Sequence, residues 1–252
     1  MMPVTPFDDP VAISIFGDSW KSAYYESSTS YVKNPLASIA MGFGYNPAGK
    51  DYTFINFSWG GVSAKDAYEG TGAYNDPDKL DILAPFQVAA SRDFAKYQVF
   101  HYGYNDVKRH IPFDTASVFP KFGVEYHSQI PESSLISLEY QIYSEMVTYF
   151  SAFVDASKLS GRKPVLSKLC GLSSFESPSG WKWTPQHTRL LNKVNQAVEY
   201  VSIIKGVRVI DQSDVILSPH QMIDYVHPNT KFSHRINLDY GIKLRAIIDS
   251  GY

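Results

Sequence analysis

The sequence predicts an α/β fold, a three-layer α/β/α sandwich around a mainly parallel sheet of about five strands. Three observations predict it. Short apolar runs alternate along the chain with longer segments of helical periodicity. Several of these runs stop at a Gly or Asp, where ligands gather beyond the carboxyl ends of parallel strands. The 252 residues contain no repeat, no low-complexity segment and no Gly/Ser/Pro-rich linker, so one domain over residues 1–252 is expected.

The elements follow in order. Val11 to Phe16 (VAISIF) reads as a buried strand ending at Gly17. Ser22 to Ala40 has room for a helix, broken by Asn34-Pro35. Tyr52 to Phe57 (YTFINF) is a second strand. Lys79 to Phe94 is loosely helical through Leu80, Leu83, Phe86, Val88, Ala89 and Phe94, with a kink at Pro85. Tyr97 to Tyr102 (YQVFHY) is a third strand, closed by Gly103. Ile136 to Leu159 carries apolar residues at 138, 142, 146, 149, 150, 153 and 154, a helical spacing. Pro164 to Leu169 is a fourth strand. Pro185 to Ile204 is a helix with Pro185 at its first position and Thr184 as its cap. Val207 to Ile210 is a fifth strand ending at Asp211, and Phe232 to Ile248 is the last helix. The segment 107–135 is long for a loop and holds Phe113, Phe119, Phe122 and Tyr126. It reads as an insertion over the site.

Composition excludes several classes. Lys+Arg number 23 against Asp+Glu 25, so no basic excess exists to neutralise phosphates and no nucleic-acid partner is expected. The single cysteine, Cys170, leaves no internal disulfide framework and no multi-cysteine zinc site. The histidines have no metal-ligand spacing, so no zinc site is expected from them. No apolar stretch approaches the length of a membrane span. The first ten residues lack a basic and an apolar region, so the expected location is cytoplasmic, or exported if a leader has been removed. Aromatics reach 15%, which suits either a well-filled core or a site that stacks on ring-shaped ligands.

Four short motifs sit just past strands or in the last loop. Gly17-Asp18-Ser19-Trp20 follows the first strand. A Ser on a strand-to-helix turn points its hydroxyl at the open sheet edge, where helix amides favour a developing anion; the alternative is a plain helix cap. Asn56 through Gly61, with Ser63, follows the second strand, and its paired glycines let backbone approach a ligand or make a simple turn. Gly103-Tyr104-Asn105-Asp106 follows the third. An Asn amide is a neutral donor suited to an oxyanion, and equally a common turn residue. Asp224-Tyr225-Val226-His227-Pro228 lies beyond the fifth strand; a carboxylate three residues before a His can orient its ring as a base. Each motif alone is weak. Their order and placement together are not a chance pattern.

On these four blocks, spanning residues 17 to 228, the chain resembles the SGNH hydrolases, the GDSL esterase and lipase superfamily. The resemblance implies a flavodoxin-like sandwich, Ser19 as nucleophile, and an oxyanion hole of the Ser19 and Gly61 amides and the Asn105 side chain. It also implies Asp224 and His227 as the remaining catalytic pair. Trp20 stands where Leu often follows the Ser. The chemistry implied is ester hydrolysis through an acyl-enzyme, without cofactor. The loop 171–183 carries Phe175, Trp181 and Trp183 among small polar residues. Rings facing solvent beside a site suit the apolar face of a sugar, whereas rings facing inward are core. Trp181 and Trp183, with Trp20 and Tyr104, are the candidate substrate-binding rings. A small-acyl esterase on a carbohydrate, above all an O-acetyl esterase, is the expected function. An acyltransferase or lipase-type esterase of the same fold and a non-catalytic carbohydrate-binding module are the alternatives.

Overall fold

Val11–Gly17 forms β1, and Tyr52–Asn56, Tyr97–His101, Lys163–Lys168 and Arg208–Asp211 form β2 to β5 of one sheet. The strands lie in the order β2-β1-β3-β4-β5, and every pairing is parallel. The computed structural model describes residues 11–18, 21, 39, 41–43, 52–58, 61–70, 95–176, 181–222 and 227–252. The helices expected within 22–40 and 79–94 lie largely or wholly outside them.

The described helices are α1 (Ala64–Glu69), α2 (Tyr104–His110), α3 (Val118–Phe122), α4 (Glu132–Leu159), α5 (Pro185–Lys205) and α6 (Thr230–Asp249). Strand side chains alternate between faces. Ile13, Ile15, Tyr97, Val99, Val165 and Ile210 share a core with Tyr240 and Leu244 of α6. Phe16, Phe100 and Leu166 point the other way, into a larger core filled from α2, α4 and α5. Helices therefore cover both faces, which is why the strands read as continuous apolar runs.

The long helices bury the stripes their spacing requires. Along α4 the buried positions include Leu135, Ile142, Met146, Tyr149, Phe153 and Val154, and Phe153 stacks on Phe100 at 5.5 Å. Pro185 opens α5, the Thr184 amide donates to His187 Nδ1 at 3.0 Å, and Gly206 closes the helix in the left-handed region. At the other end of the chain Asn229 caps α6 by accepting from the Phe232 amide. Among the described residues no helix is long and apolar enough to cross a membrane.

Strand order reverses between β1 and β3: the chain leaves β1 for β2 on one side and returns to β3 on the other. The carboxyl edge at such a reversal is the usual ligand position of parallel sheets. The residues that follow β1, β2 and β3 line that edge.

Candidate active site

Beyond β1, Asp18 is fully buried and its amide donates to the His101 carbonyl of β3 at 3.2 Å. The Lys21 amide donates to the Asp18 carbonyl at 3.1 Å, across the two positions held by Ser19 and Trp20. Ser19 and Trp20 themselves, like Asp224, lie outside the described residues, so of the expected triad only His227 is among them.

Beyond β2, Gly61 has φ 81, in the left-handed region that glycine enters without strain. Two residues on, Ser63 starts α1: its hydroxyl accepts from the Asp66 amide at 3.1 Å, and the Asp66 carboxylate accepts from the Ser63 amide at 2.9 Å. This reciprocal cap stabilises a one-and-a-half-turn helix that apolar periodicity alone does not reveal. Ser63-Ala64-Lys65-Asp66 has the spacing that signals it.

Beyond β3, Gly103 has φ 148, and a β-carbon there would lie 2.7 Å from Leu169 Cδ1 and Val194 Cγ1. Only glycine allows the chain to turn into α2 at this point. The next residues fasten the two loops together. Asn105 is half-buried and its Nδ2 donates to the Val62 carbonyl at 3.0 Å. Asp106 accepts from the Ala64 amide at 2.9 Å and the Lys65 amide at 3.3 Å, so it caps α1 from another element. Burial pushes Asp106 up to about 6, against the pull of those two amides and of the Arg109 charge. Arg109 Nη1 donates to the Ser63 hydroxyl at 3.2 Å. The loop of Gly61 and the first turn of α2 with Asn105, which carry the two expected oxyanion donors among the described residues, are thus fastened to each other. The part of Asp106 in fixing them was not read from the sequence, although Asn105-Asp106 stands in the motif.

His227 is partly exposed on the loop leading into α6. Pro228 pairs with Met222 in an isolated bridge, and the Asn229 amide donates to the Gln221 carbonyl at 2.7 Å. These contacts fix the chain immediately after His227.

Two of the candidate substrate rings are not available to a ligand. Trp183 is 1% exposed. It packs against Tyr104, Phe113 and His187, and its indole N–H donates to Thr188 Oγ1 at 2.9 Å. Tyr104 is also buried, with its hydroxyl donating to the Cys170 carbonyl at 2.8 Å. Both are amphipathic rings that satisfied their polar end inside the core. Trp181 is only half-buried; the Lys108 ammonium lies 4.8 Å from its ring centre. Trp181 is half-buried and Trp183 fully buried; the short strand runs over Lys182–Trp183, and Trp181 lies just outside it, in an isolated bridge with Asp114.

The expected insertion begins inside α2 and then runs through short helices. Phe113, Val118 and Ile130 are buried, whereas Phe119 and Tyr126 are exposed. It docks on the short Lys182–Trp183 strand through the Lys182 amide to the Phe113 carbonyl, 2.8 Å. His127 and His187 both reach the Pro112 carbonyl through Nε2, and burial pushes His187 down to about 3.

One buried charge was missed altogether. Lys21 is 1% exposed; its ammonium donates to Asn237 Oδ1 at 2.6 Å and lies 4.0 Å from the centre of the Tyr240 ring. Burial pushes its pKa down to about 8. No periodicity signals it, since a lone Lys after a strand reads as solvent-facing.

No family model and no curated protein matches the chain. Solved structures do. A carbohydrate acetylesterase from Sinorhizobium meliloti superposes with TM-score 0.57 at 12% identity, over 96% of this chain and 99% of that one. An acetylxylan esterase from Geobacillus stearothermophilus, in a catalytic-mutant form, gives 0.56 at 12% over 93% of each. A protein of the G-D-S-L family from Desulfitobacterium hafniense gives 0.52 at 11% over 93% and 99%. The chain has the SGNH hydrolase fold. Nearly the whole length of both partners is matched in each case.

Proposed function

We propose that this protein is a serine ester hydrolase that removes small acyl groups, acetyl above all, from a carbohydrate. The observation that carries the reading is the 3.0 Å hydrogen bond from Asn105 Nδ2 to the Val62 carbonyl. A side-chain amide has two N–H donors. One is spent holding Asn105 against the peptide that follows Gly61, and the other is left to donate to an oxyanion. A donor fixed beforehand costs no reorganisation when charge develops, which is what makes such groups effective.

In this reading His227 takes the proton of Ser19 as Ser19 Oγ attacks the ester carbonyl. The tetrahedral oxyanion accepts from the amides of Ser19 and Gly61 and from Asn105. Collapse expels the alcohol, which takes its proton from His227. Water then repeats the cycle on the acyl-enzyme, and Asp224 keeps the imidazole in the useful tautomer throughout. Two structural neighbours described as a carbohydrate acetylesterase and an acetylxylan esterase support the acyl and alcohol classes. Trp181 is the remaining described ring for sugar stacking, and the 107–135 segment that docks beside it supplies a wall of the site.

The test is a series of p-nitrophenyl esters of rising chain length, run beside acetylated xylan and other acetylated polysaccharides, with Ser19→Ala as control. Activity highest on acetyl and release of acetate from a polysaccharide are expected. A preference for long acyl chains would point to a lipase-type esterase. Acetyl appearing on an added sugar would point to a transferase. Binding of polysaccharide without turnover would point to a carbohydrate-binding module.

A further inference from the structure

A lysine buried to 1% exposure is expensive, because its ammonium gives up hydration that protein groups restore only in part. A Met or Leu would fill the same space beneath the sheet edge without that cost. The position of Lys21 is also particular. It comes two residues after Ser19, and its amide closes the Asp18-to-Lys21 turn. Its side chain leaves that turn and crosses to α6, to Asn237 Oδ1 at 2.6 Å and the face of Tyr240 at 4.0 Å. Both partners are themselves held: Asn237 Nδ2 donates to the Ser233 carbonyl at 2.9 Å, and the Tyr240 hydroxyl pairs with Ser167 of β4. The helix that receives the ammonium is the one whose leading loop carries His227.

We propose that Lys21 is a positioning residue for ester hydrolysis: its buried ammonium ties the turn that carries Ser19 to the helix that His227 leads into, and so sets the nucleophile against its base. This rests on the hydrolase reading above. Among the described residues, the groups that face the ammonium come from several elements. They are Asp18 at the end of β1, His101 at the end of β3, Cys170 beyond β4, and Asp239 with Asn237 and Tyr240 on α6. His101 is held neutral by burial and by the Lys21 charge. Cys170 is pushed up to about 12 by burial and stays a thiol. The carboxylates of Asp18 and Asp239 favour the ammonium, against a larger effect of burial. The tie therefore holds in the charged state up to about pH 8 and loosens above it.

The experiment measures kcat and KM on p-nitrophenyl acetate from pH 6 to 9.5, with thermal melting, for the wild type, Lys21→Met, Asn237→Leu and Ser19→Ala. Lys21→Met should lower kcat by about 10- to 100-fold, as small misplacements of reacting groups do, with KM within about threefold. Its melting temperature should be equal or higher, since a desolvated charge is gone. The wild type should lose kcat above about pH 8, and that alkaline limb should be missing in Lys21→Met. Asn237→Leu empties the other end of the contact and should show the same kcat loss; it carries the test alone if Lys21→Met does not fold. An active wild type with a dead Ser19→Ala, and a Lys21→Met within twofold of wild type at every pH, overturns this proposal and leaves the hydrolase reading standing. So does a kcat loss that merely follows a fall in melting temperature. A wild type no more active than Ser19→Ala on any ester overturns both.

Discussion

Asn105 Nδ2 donates to the Val62 carbonyl at 3.0 Å, so the side chain beyond β3 is braced on the peptide next to Gly61 beyond β2. Asn105→Ala removes the brace and the expected oxyanion donor together. Turnover of p-nitrophenyl acetate should fall by about 10²–10³-fold with KM nearly unchanged, because the oxyanion exists only on the way to the tetrahedral intermediate. Loss of the hydrogen bond should lower stability by about 1 kcal/mol. A variant altered in KM alone would place Asn105 in ground-state binding.

Ser19→Ala should abolish turnover and leave melting within a degree or so of wild type, since one hydroxyl contributes little to the core. Deleting a nucleophile of this kind costs about 10⁴-fold or more in rate. Ester hydrolysis retained above about a per cent of wild type would remove Ser19 from the mechanism.

The sheet was legible because its strands are buried on both faces and bounded by Gly17, Gly103 and Asp211. The stripes of α4 and α5 were legible because each helix buries a set of apolar residues at helical spacing. What fixes the site was legible only in part. The four blocks pointed at Gly61 and Asn105, but no spacing says that Asp106 reaches across to cap α1, because that contact spans more than forty residues. Local rules also failed at the tryptophans. Trp181 and Trp183 stand two positions apart, a spacing that puts both side chains of a strand on one face, yet only Trp183 is fully buried, with Trp181 just outside the Lys182–Trp183 strand. Lys21 was invisible for a further reason: a buried charge breaks the rule that apolar residues fill cores, and such breaks concentrate where a protein has a use for them.

Asp106 sets a pH dependence of stability. Its folded pKa is raised from 3.8 to about 6 by burial. A carboxyl raised on folding binds its proton more tightly in the folded state. Its contribution is therefore full below about pH 4 and lost as pH rises through about 6, a difference of about 3 kcal/mol for a shift of this size. Asp106→Asn keeps an acceptor for the Ala64 amide and cannot ionise. In urea denaturation from pH 4 to 7.5, the stability of the variant relative to wild type should rise by about that amount across pH 4 to 6.5. Asp106→Ala leaves two amides of α1 without their acceptor and should be less stable than Asp106→Asn by about 1–3 kcal/mol. A difference between wild type and Asp106→Asn that is flat in pH would mean that Asp106 titrates alike in both states.

Trp181 and Trp183 separate stacking from packing within three consecutive residues. Trp183 is 1% exposed and wedged among Tyr104, Phe113 and His187. Trp183→Ala should cost about 3–5 kcal/mol, the usual range for emptying a core of a large ring, and lower activity on every substrate only as the folded fraction falls. Trp181 is half-buried, beside Phe113 and with the Lys108 ammonium 4.8 Å from its ring centre. Trp181→Ala should leave p-nitrophenyl acetate hydrolysis nearly untouched, since a small activated ester uses only the reacting groups. Release of acetate from a polysaccharide should fall about threefold to tenfold, the equivalent of one stacking ring at roughly 0.5–1.5 kcal/mol. Phe113 should still pack against Trp183 in that variant, so its melting temperature should drop far less than that of Trp183→Ala. Equal losses on both substrates in Trp181→Ala would make this ring part of the core as well, and would leave the carbohydrate reading resting on its structural neighbours and not on any described ring of its own.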